Sequence, residues 1–145
     1  MAAGGIATGK QMLAAMALGA EGVQIGSRFV ASEEASDHIN FKNAVIAAGE
    51  GDTMVTLKKI TPVRMIKNKF FNEIQNAENG CASKEELQQL LGKGRAKKGM
   101  FDGDLEEGEL EIGQVSALIK NIKPAAEIVA EIWAEFAYSL QKLAK

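Results

Sequence analysis

Apolar and polar positions follow one rhythm before about residue 53 and another after it. In the first stretch, short apolar segments alternate with glycine turns. Met12, Leu13 and Met16 make one helical face between Thr8 and Gly19, with Thr8 and Gln11 in capping-box spacing and glycine as the stop. Val23 to Gly26 reads as a short buried strand. Beyond it, Ser32 or Ser36 is placed to cap a helix running to about Ala48, with Ile39, Val45 and Ile46 apolar and Gly49-Glu50-Gly51-Asp52 ending it. That is one strand–helix unit and the end of another.

From Thr53 the spacing turns mainly helical. Thr53 to Leu57 predicts a short strand. Thr61-Pro62 predicts a helix start, since proline suits a first turn, and Val63, Ile66, Phe70 and Ile74 continue it. Ser83-Lys84-Glu85-Glu86 is a second capping box, opening a helix through Leu87, Leu90 and Leu91. Residues Lys93 to Glu111 are glycine-rich and charged and predict a loop with one helical turn. Ile112, Val115, Leu118, Ile119 and Ile122 keep helical spacing. Pro124 then opens the longest helix, with Ile128, Val129, Ile132, Trp133, Phe136 and Leu140 on one stripe. That stripe is expected to bury against Ile112 to Ile122.

Two glycine turns in the first stretch carry the chemistry: Ala2-Ala3-Gly4-Gly5-Ile6-Ala7-Thr8-Gly9 and Gly22-Val23-Gln24-Ile25-Gly26-Ser27-Arg28-Phe29. Glycine lets a backbone approach a ligand closely, and amides at such a turn, together with a helix start, make an anion site. Paired at the ends of neighbouring parallel strands, they are how a (β/α)₈ barrel commonly holds a phosphate. Ser27 adds a hydroxyl donor. Gln24 alternates with apolar Val23 and Ile25, so it is expected on the opposite side of its strand. The fold class expected is α/β: the last two strand–helix units of a (β/α)₈ barrel over residues 1–52, then a mainly helical tail over 53–145. An intact barrel takes about 250 residues, so 145 residues read as the C-terminal part of a longer protein.

Composition narrows the partners. A formal net charge of −2 gives no electrostatic case for nucleic acid or an anionic membrane surface. No apolar run reaches membrane-span length, and no signal peptide is visible, so the cytoplasm is the expected compartment. Cys81, the single cysteine, rules out an intrachain disulfide and a cysteine metal cluster. His38 has no serine or cysteine partner in a recognisable motif and reads as a surface or helix-start residue. The run Asp102 to Glu109 fails the calcium-loop pattern and reads as a solvated loop, as do Lys93, Arg95, Lys97 and Lys98. Gly113-Gln114 implies either close packing or a nearby ligand. No catalytic residue and no metal site are assigned.

Several of these segments together resemble a known family. Ala3-Gly4-Gly5-Ile6, the run Leu18 to Phe29, Arg64-Met65-Ile66-Lys67-Asn68 and Gly113-Gln114 are similar to the nitronate monooxygenases (2-nitropropane dioxygenases). They are similar also to the related FMN-dependent enoyl-acyl-carrier-protein reductases of type II. The resemblance covers the C-terminal half of the family's length. It implies an FMN-binding barrel in which Gly4, Gly5, Gln24, Ile25, Gly26 and Ser27 meet the FMN phosphate. The substrate would be a nitronate or an enoyl thioester, with NAD(P)H as reductant in the second case. The family's residues beside the flavin ring have no counterpart here, and His38 does not match its catalytic histidine. The alternative is a non-catalytic module. In either case an unpaired edge of the Val23 to Gly26 strand favours a homo-oligomer.

Overall fold

A computed structural model describes residues 1–144. The chain begins on β1 (Ala2–Ala3), which pairs in parallel with β2 (Val23–Gln24), Ala2 opposite Val23 and Ala3 opposite Gln24. Between them runs α1 (Gly9–Ala17), capped by Thr8, whose side-chain oxygen accepts from the Gln11 amide at 3.2 Å. This is the expected pair of parallel strands joined through a helix. Neither strand is buried: Val23 is half-buried and Gln24 exposed, which corrects the expectation of a buried strand. Two residues per strand and no neighbour on either outer edge leave too little sheet to enclose. The described residues form no closed barrel, but the α/β character is as expected.

A single helical turn, α2 (Ser27–Val30), follows β2, and then α3 (Ile39–Ala47). The cap of α3 is not Ser32 or Ser36. Ser32 Oγ is occupied with the Ala35 amide, and His38 Nδ1 accepts from the Asn40 amide at 3.1 Å. The histidine is thus a helix-start residue. Phe41 and Val45 bury completely, while Ile39 stays exposed.

The second half departs further from the pattern. Residues Val63–Ile66 form β4, not a helix, paired antiparallel with β3 (Thr53–Thr56), Thr53 opposite Ile66. Val63 and Met65 share a strand face while Val63 and Ile66 share a helix face, so over so short an apolar run the spacing does not decide. Here the partner strand decides, and Met65 alternates inward against Phe70, Phe71 and Ile74. Helix α4 (Lys69–Asn79) starts at Asn68, whose Oδ1 accepts from the Phe71 amide at 2.8 Å. Helix α5 (Lys84–Leu91) carries the expected reciprocal Ser83–Glu86 capping box.

Ile112 to Ile122 is likewise not an α-helix. Ile112 donates its amide to Arg64 O at 3.1 Å, extending the β4 edge, and only Gln114–Leu118 winds, as a 3₁₀ turn. The long helix α6 (Ala125–Leu143) begins after Pro124 as expected, but its main partner is α1 and not Ile112 to Ile122. It folds back onto α1 and touches α2. Gly9 makes this approach possible, because a Cβ there would collide with the Ile132 carbonyl and the Phe136 amide. The Glu135 carboxylate accepts the Gly9 amide at 2.7 Å and faces Lys10 at 3.6 Å.

Two clusters close the interior. One joins Ala31, Phe41 and Val45 to Leu110, Ile112, Val115 and Ile119; the other joins Leu57, Met65, Phe70, Phe71 and Ile74. Of the α6 stripe only Ile128 is fully buried, and Trp133 is 54% exposed.

Candidate functional site

The C-terminal ends of β1 and β2 open into a cavity of about 220 Å³ lined by Gly4, Gly5, Gln24, Gly26 and Ser27. Gly4 and Gly5 have φ of +88° and +70°, the left-handed region that side chains with a Cβ disfavour. Two successive residues of this kind turn the chain sharply between β1 and α1. No hydrogen bond within the described residues takes the amides of Gly4, Gly5, Gly26 or Ser27. A Cβ added at Gly4, Gly5 or Gly26 would meet nothing within 4 Å. The glycines therefore border open space beside unpaired donors, which is the chemistry an anion requires.

Ser27 is oriented from behind. Its Oγ accepts the Gly113 amide at 3.2 Å, which leaves the hydroxyl proton to point elsewhere. This accounts for the Gly113-Gln114 pair as close packing, with Gln114 lining an adjoining cavity of about 630 Å³. Gln24 is exposed on the cavity side. Ile25 is the one expected site residue that does not line this cavity. With Val23 it faces the opposite way, into an apolar groove with Met12, Phe29, Val129 and Trp133. The strand alternation read from Val23-Gln24-Ile25 is the reason.

The start of α1 is not part of this open set of donors. Ala7 gives its amide to Gln11 Oε1 at 2.9 Å, and Gly9 gives its own to Glu135. The expected help from a helix start is already claimed by side chains of the chain itself.

Arg64 escaped the residue-level reading. It lines both the 630 Å³ cavity, with Gly5 and Gln114, and a third of about 370 Å³, with Gly26, Ser27 and Glu111. Its only sequence signal was the Arg64 to Asn68 segment. Asn68, at the other end of that segment, is structural: it caps α4 and donates to Leu105 O and Gly108 O at 2.9 and 2.8 Å.

Several charges in the Arg95 to Glu107 segment are paired. Glu107 is held by Lys69 and by Arg95 at 3.2 Å, so its carboxyl titrates below the usual range; Lys98 meets Asp104 at 3.1 Å. The acidic and basic runs thus pair with one another. Among the described residues no group of three potential ligands is gathered for a metal, and no helix is long and apolar enough to cross a membrane. Cys81 is exposed. Glu109 is buried beside Glu111, and burial first, then that like charge, push its carboxyl up to about 7.

The chain is similar to known proteins along nearly its whole described length. The family described as nitronate monooxygenase matches residues 1–135. A probable nitronate monooxygenase of Staphylococcus saprophyticus is 38% identical over 130 residues, which cover 88% of this chain and 36% of that protein. One from Staphylococcus aureus strain MSSA476 is 35% identical over 133 residues, 91% of this chain and 37% of that protein. Among solved structures, FabK from Thermotoga maritima superposes with a TM-score of 0.90 at 40% identity, covering 98% of this chain and 45% of that one. Nitroalkane oxidase from Streptomyces ansochromogenes superposes with a TM-score of 0.73 at 28% identity, covering 97% and 40%. The chain therefore spans little more than a third of the length of these curated relatives.

Proposed function

The chain belongs to the nitronate monooxygenase family, and from that premise we propose that it supplies the FMN phosphate-binding part of an FMN-dependent oxidoreductase acting on nitronates. The observation that supports this reading is the pair of glycine turns on adjacent parallel strands with unpaired amides around one cavity. Amides of Gly4, Gly5, Gly26 and Ser27 and the Ser27 hydroxyl would hold the phosphate, and Gln24 would donate from the same side. When bound, FMN supplies the redox chemistry, taking electrons from one substrate and passing them to another. This chain's part is to anchor and orient. Gly113 fixes the Ser27 oxygen so that its proton is available to the ligand. Residues 1–52 carry this cradle, and residues 53–145 form the appendage whose α6 returns to brace α1.

A second reading is favoured by one observation. The FabK structure superposes more closely than nitroalkane oxidase, with a TM-score of 0.90 against 0.73, and is more similar in sequence, at 40% against 28% identity. FabK is an enoyl-acyl-carrier-protein reductase, so the same cradle would serve a reductase that draws on NAD(P)H and passes hydride to an enoyl thioester. A homo-oligomer in the cytoplasm fits either case.

The experiment is anaerobic reduction of the purified full-length protein. Bleaching of a yellow, FMN-containing protein by a nitronate and not by NADPH supports the first reading; the reverse supports the second. Extraction of FAD, or of no flavin, refutes both, since the cavity is suited to one terminal phosphate.

A further inference from the structure

The cradle as described so far is built from neutral donors, whereas a phosphate monoester brings up to two negative charges. The cavities that flank it share one cation. Among all residues lining the three cavities, Arg64 is the sole lysine or arginine, and it lines both flanking ones. It has no carboxylate partner within ion-pair distance among the described residues, although Glu50 and Glu111 line the same cavities. One nitrogen of its guanidinium is fixed, donating to Thr53 O and Thr53 Oγ1, each at 3.1 Å. The remaining donors of the fork are free, and a guanidinium fork suits phosphate oxygens. The backbone of Arg64 is also tied to the cradle. Its carbonyl accepts from Ile112, and the next residue, Gly113, donates to Ser27 Oγ.

The geometry points to Arg64 as the cationic contact for the phosphate monoester anchored at the Gly4-Gly5 and Gly26-Ser27 turns. The inference rests on the phosphate-cradle reading and extends it from neutral to charged recognition. Thr53 holds the guanidinium at the cavity wall, so little side-chain freedom is lost when the anion arrives. Arg64 is a binding residue here; nothing assigns it a step in the redox chemistry.

The test uses the full chain, with inorganic phosphate and FMN as separate probes. Binding is followed by amide chemical shifts of Gly4, Gly5, Gly26 and Ser27. Arg64→Gln keeps a donor for Thr53 and removes the charge; it should weaken both probes about tenfold, the scale of one charge-assisted hydrogen bond. It should also flatten the fall in affinity with added salt. Arg64→Lys, which keeps the charge but loses the fork, should recover part of the affinity and the salt dependence. Circular dichroism and thermal melting check that each variant folds. A purely structural arginine would change melting and leave the salt dependence intact. Equal affinity and equal salt dependence in wild type and Arg64→Gln overturn the role of Arg64 while the cradle reading stands. No probe-induced shifts at the four wild-type amides overturn the cradle reading, and this inference with it.

Discussion

The insert spanning β3 to the 3₁₀ turn and the unit made by β1, α1, β2 and α6 solve the packing problem in opposite ways. The insert builds a core of its own, with Leu57, Met65, Phe70 and Ile74 fully or almost fully buried around a hairpin of four-residue strands and two capped helices, and its Leu110, Ile112 and Val115 pack on Ala31, Phe41 and Val45. The β1–α1–β2–α6 unit has strands of two residues and leaves Val129, Trp133 and Leu140 about half exposed. One region puts its residues into its own stability. The other presents open backbone on one side, where the cradle lies, and an apolar groove on the other. The region proposed to face the ligand is thus the less consolidated one, as binding regions commonly are.

The largest expected effect sharpens that contrast directly. Phe70→Ala should cost about 3–5 kcal/mol of unfolding free energy, because a fully buried ring leaves a cavity. Trp133→Ala, about half exposed on the open face and edge-to-face with Phe136 at 5.3 Å, should cost about 1 kcal/mol. Urea unfolding of both variants checks this, and equal losses would erase the distinction.

A pH effect of similar size belongs to the insert alone. Burial pushes the Glu109 carboxyl up to about 7 in the folded chain, from an ordinary 4.5, so between those values the folded state holds a proton that the unfolded state releases. Its contribution is complete below about pH 4.5 and is lost as pH rises through 7. The full shift is worth about 3 kcal/mol. Glu109→Gln should remove that slope and be more stable than the parent at pH 8. A steeper slope in the variant would contradict the assignment.

The cradle is expected to respond in binding and not in stability. Gly26 has φ −103°, so Gly26→Val strains no backbone, and the effect comes from filling the space its Cβ would enter. Flavin affinity should fall about a hundredfold, near 2.7 kcal/mol, with melting almost unchanged; retained affinity would remove Gly26 from the site. Ser27→Ala should be milder, about tenfold, since the hydroxyl is one donor among several. Complete loss of flavin on that change would mean the amides matter less than stated here.

What the sequence revealed divides along a physical line. The caps at Thr8 and Ser83 were legible because each is closed within four residues, although Gln11 Oε1 accepts from the Ala7 amide and not from the Thr8 amide, so only Ser83 forms the reciprocal box. The first glycine turn was legible because positive φ at Gly4 and Gly5 is a local demand that few residues meet; the second, with Gly26 at φ −103°, was legible through its spacing from the first. Strand β4 was not, because Val63 and Ile66 suit either structure until Thr53–Thr56 pairs with them across the hairpin. The partner of α6 was hidden for the same reason, although Gly9 at the head of a helix was a signal that another backbone comes close. Arg64 was visible only as part of a family-like segment, since its charge acquires meaning from cavities contributed by distant turns.

The central claim is that these turns recognise a phosphate. Comparing FMN with riboflavin tests it most directly, since the two differ only by that group. Equilibrium binding to the full chain should be detectable for FMN, weaker than micromolar, and absent for riboflavin at the same concentration. Equal binding of both flavins would place recognition at the ring and contradict the phosphate cradle.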